Sequence, residues 1–404
     1  MMQMLTNPIS QHDLRLPTRF EMDWVLLGLV FTLASIGVLM VASASMSLSE
    51  SYYEDPWYML KKHCILLAMG TIGAAIIASI PIRFWQQYGW VLLLLTFILL
   101  ALVLVPGIGR RVNGSQRWFV FGPISIQASE VAKLLMVMFF ASYLSRRHEE
   151  LKTSWQGVVK PMAILCGVVL LLLLEPDFGG SVVLAGAVFA MMFIAGMKLW
   201  QFGILIALAS SAMAMVAFFS PYRLQRLITF LDPWADQYNS GYQLTQSLIA
   251  FGQGEWFGVG LGRSVQKLFY LPDAHTDFIF AIIAEEFGLI GAIVVVALFA
   301  AIIYRMLKLS KRAMLHNNGF VSLAAFGIAV LFTTQAFINM GVASGLLPTK
   351  GLTLPFVSYG GSSILISCAF IGIILRLDWE LLASPTKTLS TKVKTAKSKS
   401  GRAR

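Results

Sequence analysis

The chain has 404 residues, of which 57% are hydrophobic and only 13% charged, with a formal net charge of +11 and a mean hydropathy of +0.74. Soluble globular domains carry about 25% charged residues, so this composition excludes a soluble domain and indicates an integral membrane protein. Many of the basic residues lie near the C-terminus without aromatic residues beside them, which favours contact with anionic lipid over nucleic-acid binding.

Long apolar stretches predict an all-α membrane protein, because each is able to cross about 30 Å of hydrocarbon as a helix. Ten such spans are expected, at 24–45, 63–80, 88–105, 128–144, 160–174, 181–197, 200–219, 279–304, 319–341 and 359–375. Lys and Arg are enriched in one set of connecting loops, which places both termini in the cytoplasm and residue 277 on the outer side. The three cysteines, Cys64, Cys166 and Cys368, lie in predicted spans and indicate apolar packing rather than disulfides.

The same pattern divides the chain into a cytoplasmic segment at 1–22, a membrane domain at 23–376 and a basic cytoplasmic tail at 377–404. A large outer loop, at about 220–277, joins spans 7 and 8, and a loop of that length is usually functional. Within it, Tyr242–Phe251 has helical periodicity with a polar face and is expected to lie along the membrane interface. The glycines between 252 and 262 predict flexible backbone rather than a phosphate-binding loop, since no strand precedes them and no Lys-Ser/Thr follows.

Two charged residues, Glu130 and Lys133, occur at the start of span 4. Their i,i+3 spacing places them on one face of the helix, and the positive end of the helix dipole favours the Glu130 carboxylate. Lys133 either pairs with Glu130 and extends towards the interface, or supplies a buried cation to an outward-facing polar cavity.

Ionisable residues also precede span 8, in Leu271-Pro272-Asp273-Ala274-His275-Thr276-Asp277-Phe278. Charge at the edge of a bilayer is costly, so such a cluster suggests chemistry. Asp277 is a candidate catalytic base, and the structural alternative is an N-cap of the helix that follows. A base has to be ionised at neutral pH, and Lys133 is the candidate cation that would favour the ionised form of Asp277. His275 is either a second base or a hydrogen-bonding spacer. One of Glu285 and Glu286, two turns further on, is expected to face the bundle interior.

Three further cations lie near the outer ends of spans, and with Lys133 they could form the anion site that a diphosphate requires. They are Arg117, Arg223 and Lys350. Each of them is equally able to lie at the interface without contacting substrate. The hydroxyl-rich start of span 10, which includes Ser358, favours close helix packing, with substrate contact as the alternative.

Seven motifs, in chain order, resemble the SEDS family and cover nearly the whole chain. They are Asn113-Gly114-Ser115-Gln116-Arg117-Trp118, Gln127-Ala128-Ser129-Glu130, Glu175-Pro176-Asp177-Phe178-Gly179, Pro221-Tyr222-Arg223, Gly241-Tyr242-Gln243-Leu244-Thr245-Gln246-Ser247, His275-Thr276-Asp277-Phe278 and Pro355-Phe356-Val357-Ser358-Tyr359-Gly360-Gly361-Ser362-Ser363. The sequence of the fifth motif is most similar to that of the cell-division branch of the family. The family often has proline where this chain has Ala128, a difference that removes no chemical group.

The resemblance implies a peptidoglycan glycosyltransferase that polymerises lipid II on the outer face of the cytoplasmic membrane, at the division septum. It implies the class B penicillin-binding protein FtsI and the FtsQLB complex as partners, and a divalent cation, magnesium or manganese, as cofactor. The family's essential acid corresponds to Asp277, and its glutamate and lysine of the fourth helix correspond to Glu130 and Lys133. Asp277 and Glu130 are therefore the expected metal ligands, and Arg117, Arg223, Lys350, His275 and Ser358 are expected to bind substrate.

Two other functions stay open from the sequence. A lipid II flippase would need a polar path across the whole bilayer, whereas most ionisable residues lie near span ends and no internal repeat of the kind common in transporters is evident. A scaffold without activity would not need a carboxylate at Asp277.

Overall fold

The computed structural model describes residues 22–112, 115–122, 124–218 and 221–383. The described chain is mainly helical. Its helices are α1 (Trp24–Tyr53), α2 (Tyr58–Ser79), α3 (Ile82–Gln87), α4 (Gly89–Leu104), α5 (Ala128–Arg146), α6 (His148–Thr153), α7 (Trp155–Leu174), α8 (Phe178–Ile194), α9 (Leu199–Phe218), α10 (Pro221–Leu231), α11 (Tyr242–Gly254), α12 (Ile279–Leu315), α13 (Gly319–Ala343) and α14 (Gly361–Ala383).

Every predicted span coincides with a helix, namely α1, α2, α4, α5, α7, α8, α9, α12, α13 or α14. Six of the described helices (α1, α2, α5, α7, α12 and α13) are long and apolar enough to cross a membrane, and three shorter apolar stretches occur at Gly89–Leu104, Phe178–Ile194 and Leu199–Ser211. The chain is therefore a multi-pass membrane protein, while ten crossings, cytoplasmic termini and the three-part division of the chain stay predictions. Helix α14 continues to Ala383, past the expected end of the membrane domain at 376.

Helix α5 lies at the centre of the bundle. In its most apolar window 78% of residues are buried, compared with 17% in α2. It packs against α4, α8 and α13, whereas α2 packs mainly on α14 and leaves its other side exposed. The small side chains of α5, such as Ala132 and Ala141, are fully buried and permit this close approach. Polar residues on α5 are consequently carried into the protein interior.

A three-stranded antiparallel sheet stands between α4 and α5, which the all-α prediction did not include. Its strands are β1 (Arg110–Val112), β2 (Ser115–Phe121) and β3 (Ile124–Gln127), in the order β1-β2-β3. Strand β3 leads directly into α5. The sheet is attached to the start of α14, because the Gln127 amide donates to Ser362 Oγ at 2.7 Å and that hydroxyl donates to the Ser125 carbonyl at 3.0 Å.

The glycine-rich segment after α11 is packed against α12, so the expectation of a flexible loop is wrong. Helix α12 is broken at Gly288, whose φ is +67°. The Val259 amide donates to the Glu285 carbonyl at 2.9 Å, and the Leu289 amide donates to the Glu255 carbonyl at 2.9 Å. A Cβ at Gly254 would lie 1.9 Å from the Ala284 carbonyl oxygen, so glycine is required there by close backbone approach.

Both glutamates of α12 face the interior. The Glu285 carboxylate accepts from the Val265 amide at 2.7 Å. The Glu286 carboxylate accepts from Lys267 Nζ at 2.7 Å and from Ser43 Oγ at 2.6 Å. Both glutamates are almost fully buried. They therefore attach the segment before Asp277 to α12 and α1, which confirms the expectation of an inward-facing acid and assigns it a structural role.

Candidate active site

Four segments meet at one end of the bundle, which we call the Asp277 end. They are the sheet at 110–127, the α7–α8 connection at 175–177, the segment 271–278 and the α13–α14 connection at 344–360. The sheet contacts the α7–α8 connection through the Arg117 side chain. The segment 271–278 contacts the α13–α14 connection through the Tyr359 amide and a tilted contact between the His275 and Tyr359 rings. Lys350 of the α13–α14 connection lies over Phe178 at the start of α8. Five of the residues predicted for the site occupy these segments: Arg117, His275, Asp277, Lys350 and Ser358.

The backbone of Asp277 is held in a tight turn. The Asp273 carbonyl, at a residue with φ +52°, accepts from the Asp277 amide at 3.1 Å and from the Phe278 amide at 3.4 Å. Asn339 Nδ2 donates to the Asp277 carbonyl at 2.8 Å and to the Leu352 carbonyl at 2.6 Å. The N-cap residue of α12 is Phe278, and no side chain caps the helix. The geometry therefore leaves the Asp277 carboxylate free of the capping role.

The Asp277 carboxylate lies against the backbone of Gly351, where a Cβ would be 2.6 Å from Oδ2. Burial raises the pKa of Asp277 to about 7; the Asp273 carboxylate adds to this rise, and the Arg226 guanidinium opposes it. Arg226 also donates to the Thr349 carbonyl at 3.0 Å. The cation that acts on Asp277 is therefore Arg226, one turn after Arg223 on α10, and the sequence reasoning missed it.

Lys133 forms an ion pair with Glu130, as the i,i+3 spacing predicts. Lys133 Nζ lies 2.7 Å from Glu130 Oε1, and the two side chains are only 1% and 9% exposed. Removal of one partner of a buried pair leaves the other charge uncompensated in an apolar surrounding. The pair is thus a fixed internal element of α5, and the proposed association of Lys133 with Asp277 is replaced by this contact.

Arg117 contacts the α7–α8 connection. Its Nε donates to the Glu175 carbonyl at 2.9 Å, and its guanidinium also donates to the Pro176 carbonyl. The Asp177 carboxylate lies 3.9 Å from the guanidinium and caps α8 by accepting from the Gly180 amide at 3.0 Å. Arg117 therefore orients this connection, and part of its donor capacity is already used.

Glu175 is a buried acid that the sequence indicated only as the first residue of a family motif. Its side chain is inaccessible to solvent, and both carboxylate oxygens lack a hydrogen-bond partner among the described residues. Burial raises the pKa of Glu175 to about 8; the Asp177 carboxylate adds to this rise, and the Arg117 guanidinium opposes it. The side chain is therefore mainly a neutral acid at pH 7.

Lys350 lies over the first residue of α8, with its Nζ 3.5 Å from the centre of the Phe178 ring. This cation–π contact joins the α13–α14 connection to the start of α8, one residue before Gly351, whose backbone lies against the Asp277 carboxylate. Arg223 lies in α10, but its side chain is outside the part of the chain that the structure describes.

His275 and Ser358 are both joined to the loop that precedes α14. The His275 carbonyl accepts from the Tyr359 amide at 2.9 Å, and the two rings are 5.6 Å apart. Burial lowers the pKa of His275, and the Asp273 carboxylate opposes this change. Ser358 is 1% exposed, and its hydroxyl accepts from the Leu354 amide at 2.8 Å. This hydroxyl therefore contributes to the loop conformation.

The Asp277 end suits a divalent cation only if the substrate supplies ligands. Within the described residues there is no group of three or more His, Cys, Asp or Glu side chains arranged to hold a metal. Glu130, the second expected ligand, is paired with Lys133. Magnesium is commonly bound through one or two carboxylates together with substrate phosphates and water. Asp277 with a diphosphate fits that arrangement.

Known proteins resemble this chain over most of its length. A "Probable peptidoglycan glycosyltransferase FtsW" from Saccharophagus degradans is 53% identical over 361 residues, which are 89% of this chain and 93% of that protein. A protein of the same name from Legionella pneumophila is 49% identical over 377 residues, 93% of each chain.

Solved structures share the fold. A chain from "Structural coordination of polymerization and crosslinking by a peptidoglycan synthase complex" has a TM-score of 0.75 and 29% identity, covering 90% of this chain and 99% of its own. The rod shape determining protein RodA of Thermus thermophilus has a TM-score of 0.67 and 28% identity, covering 92% of this chain and all of its own. The family model described as "Cell cycle protein", which represents FtsW, RodA and SpoVE, matches residues 23–381. The chain therefore belongs to this family, the SEDS family that its motifs resemble.

Proposed function

We propose that this protein is a peptidoglycan glycosyltransferase that polymerises lipid II at the division septum, with its active site on the outer face of the cytoplasmic membrane. The observation that carries the proposal is the Asp277 carboxylate, which is held at one end of the bundle without a capping role and has a pKa of about 7. The relatives from two organisms that are named as probable peptidoglycan glycosyltransferases support it.

The reaction joins the 4-hydroxyl of lipid II to C1 of the growing strand. The bond from O4 to C1 forms with inversion while the bond from C1 to the diphosphate oxygen breaks, giving a β-1,4 linkage. Asp277 accepts the proton of the attacking hydroxyl, and its pKa near 7 suits a base at neutral pH. The leaving diphosphate carries the electron pair away, so nearby positive charge lowers the barrier.

The cations of the Asp277 end are suited to this diphosphate. Arg226 acts electrostatically on the Asp277 carboxylate and donates to the Thr349 carbonyl. Lys350, the next residue along the chain, lies over the Phe178 ring. A divalent cation held by Asp277 and the diphosphate would supply further charge neutralisation. The polyprenyl tails of both substrates remain in the membrane, which explains why the enzyme is built from apolar helices.

A transpeptidase partner follows from the same proposal, because newly made strands must be crosslinked. The class B penicillin-binding protein FtsI and the FtsQLB complex are the proposed partners. The proposed FtsI partner is supported by the likeness of this chain to one from a peptidoglycan synthase complex that coordinates polymerization and crosslinking.

Lipid II translocation is the second candidate function. It would require a polar path through the bundle, but Lys133 and Glu130 are paired and buried at the start of α5. Lys267, in the segment before α12, and Glu286, on α12, are likewise paired in the interior. These contacts favour polymerisation because they leave no charge of either pair available to line a path.

Proteoliposomes with fluorescent lipid II and the partner transpeptidase separate the two functions, because glycan polymer and translocation are read in one preparation. Wild type is compared with Asp277→Asn and with Asp273→Asn, a matched control in the same turn whose side chain is exposed. Asparagine tolerates the positive φ of residue 273. We expect polymer with wild type and with the control but none with Asp277→Asn. Translocation without polymer in the wild type would reverse the assignment.

A further inference from the structure

A polar cavity lies at the end of the bundle opposite the Asp277 end. Its volume is about 500 Å³. The polar side chains that line it come from α3, α5 and the α12–α13 connection, and they are Gln86, Ser145, Arg146, His316, Asn317 and Asn318. Helix α13 begins beside this cavity at Gly319 and carries Asn339, which donates to the Asp277 carbonyl, near its other end. A helix of 25 residues is about 38 Å long, so the cavity is well separated from the proposed active site.

Arg146 is a cation of this cavity that has no anionic partner in the described part of the chain. Its one hydrogen bond among the described residues runs from Nε to the Ser142 carbonyl, at 3.1 Å, and none of the ion pairs includes it. The next residue, Arg147, pairs with Glu150 at 2.7 Å. No acidic side chain occurs among the described residues that line the cavity. The terminal nitrogens of Arg146 therefore keep donors for an anionic ligand.

The Arg146 side chain is held in place by the packing of α5 against the α3–α4 turn. Ser142, whose carbonyl accepts from Arg146, is fully buried, and its hydroxyl donates to the Gln86 carbonyl at 2.8 Å. A Cβ at Gly89 would lie 2.9 Å from Ser142 Oγ and 3.5 Å from a terminal nitrogen of Arg146. The guanidinium is thus positioned before any ligand binds, which lowers the entropic cost of binding.

The α12–α13 connection adds hydrogen-bond donors to the same cavity. His316 Nδ1 donates to the Arg312 carbonyl at 2.8 Å, which fixes the ring. The Asn318 amide donates to the Ala313 carbonyl at 3.0 Å, and Asn318 Oδ1 accepts from the Val321 amide at 3.2 Å. With Oδ1 used in this way, the remaining group of the Asn318 side chain is its NH2, a donor. The positive end of the α13 dipole adds to the attraction for an anion.

This set of groups suits a phosphate group. A guanidinium binds two phosphate oxygens at once, and side-chain and backbone NH groups at the start of a helix contact the others. The cavity is larger than one phosphate group requires, and its volume lies within the range of about 300–1,000 Å³ that is usual for small-molecule sites. Phe320 and Leu381, both buried, also line it and offer apolar contact to the rest of a ligand.

We propose that this cavity binds a phosphate group of a ligand, with Arg146 as the main binding residue and Asn318 and the start of α13 as further donors. On the topology of the proposed function, this end of the bundle faces the cytoplasm. The phosphate belongs either to a soluble phosphorylated compound or to the headgroup of an anionic lipid, since both present the same chemistry to Arg146. The binding site itself does not depend on the catalytic assignment of Asp277.

Binding is tested by calorimetry with the full chain in phosphatidylcholine nanodiscs and with inorganic pyrophosphate as the probe. Arg146→Gln is compared with its matched neighbour Arg147→Gln and with Arg226→Gln, which changes the Asp277 end. Loss of a charge-assisted hydrogen bond weakens binding about tenfold or more, so we expect that loss in Arg146→Gln. Arg147→Gln should bind as wild type does, and the binding that Arg146→Gln removes should persist in Arg226→Gln. Arg146→Lys keeps the charge without the planar fork, so its affinity should fall between those of wild type and Arg146→Gln.

Three results overturn the proposal: unchanged binding in Arg146→Gln, equal losses in Arg146→Gln and Arg147→Gln, or a loss confined to Arg226→Gln. Thermal unfolding without the probe controls for folding, and Arg146→Lys provides the same test if the glutamine variant is unstable, because wild-type affinity in Arg146→Lys also counts against the phosphate contact. Repeating the titration in nanodiscs that contain phosphatidylglycerol distinguishes the sources. Weaker pyrophosphate binding by wild type, without a change in Arg146→Gln, assigns the site to a lipid headgroup, and unchanged binding assigns it to a soluble compound.

Discussion

The protonation state of Asp277 gives the most specific prediction of the proposed mechanism. The group has a pKa of about 7, raised by burial and then by Asp273, and opposed by Arg226. A general base acts only when it is ionised. With that pKa, roughly a tenth of the carboxyl groups are ionised at pH 6 and nine-tenths at pH 8, so kcat/KM should rise about tenfold over this interval.

Two substitutions should move the profile in opposite directions. Asp273→Asn removes the like charge, lowers the pKa of Asp277 and shifts the rise in kcat/KM to lower pH. Arg226→Gln removes the opposing cation, raises the pKa of Asp277 and shifts the rise to higher pH. The variants therefore differ most strongly near pH 6, where Asp273→Asn should be faster than wild type and Arg226→Gln slower.

The assay is the initial rate of lipid II consumption at limiting substrate between pH 5.5 and 8.5, with one transpeptidase preparation for all variants. Thermal unfolding at each pH controls for loss of folded protein. A wild-type rate that does not change over this range, or a profile of Asp273→Asn identical to that of wild type, would refute Asp277 as the titrating base.

Three further predictions concern the groups around this site. Burial raises the pKa of Glu175 in the folded protein to about 8 from 4.5, so its contribution to the stability of the fold is complete below pH 4.5 and is lost as the pH rises towards 8. Glu175→Gln should therefore lose less thermal stability than wild type between pH 6 and 8.5. An equal loss in both proteins contradicts this. Lys133→Met should destabilise the fold by about 3–5 kcal/mol in the unfolding free energy, as breaking a buried pair does, and the added Glu130→Gln change should restore part of it; no rescue in the double variant counts against the pair. Gly351→Ala should lower kcat with little change in stability, because the new Cβ would lie 2.6 Å from Asp277 Oδ2; unaltered kinetics would show that the carboxylate is not held there.

The helices were predictable because an apolar stretch long enough to cross a bilayer has few alternatives to a helix. The sheet was harder to predict from the sequence, because β1 and β3 have only 3 and 4 residues. Its signal was present in the run Arg117–Phe121, which ends at Gly122-Pro123 and is followed by the alternating Ile124–Gln127. Such a pattern favours a strand, a turn and a second strand.

The glycine-rich segment shows why local sequence is insufficient. Glycines at 254 and 258 indicate a flexible loop when considered alone, but their partners are the backbone of α12 around its break at Gly288. Nothing in the segment itself predicts that break. Close contact of two backbones distant in sequence, rather than flexibility, accounts for these glycines.

The site was partly predictable, because chemistry identifies residue types while packing decides partners. Asp277, His275, Arg117 and Lys350 are brought to one end of the bundle, as their position at the ends of spans predicts. The cation that acts on Asp277 is Arg226, not Lys133. Both lysine and arginine were chemically suitable, and only the positions of α5 and α10 in the fold distinguish them.

The central claim is that Asp277 is the base of a glycan-forming reaction. It is tested most directly by the initial rate of glycan formation from lipid II, with wild type and Asp277→Asn purified side by side with the same transpeptidase. The account predicts glycan strands from wild type, and from Asp277→Asn no polymer at any pH from 6 to 8.5 despite unchanged thermal stability and unchanged binding of a polyprenyl diphosphate. Polymer from Asp277→Asn at the wild-type rate would contradict it.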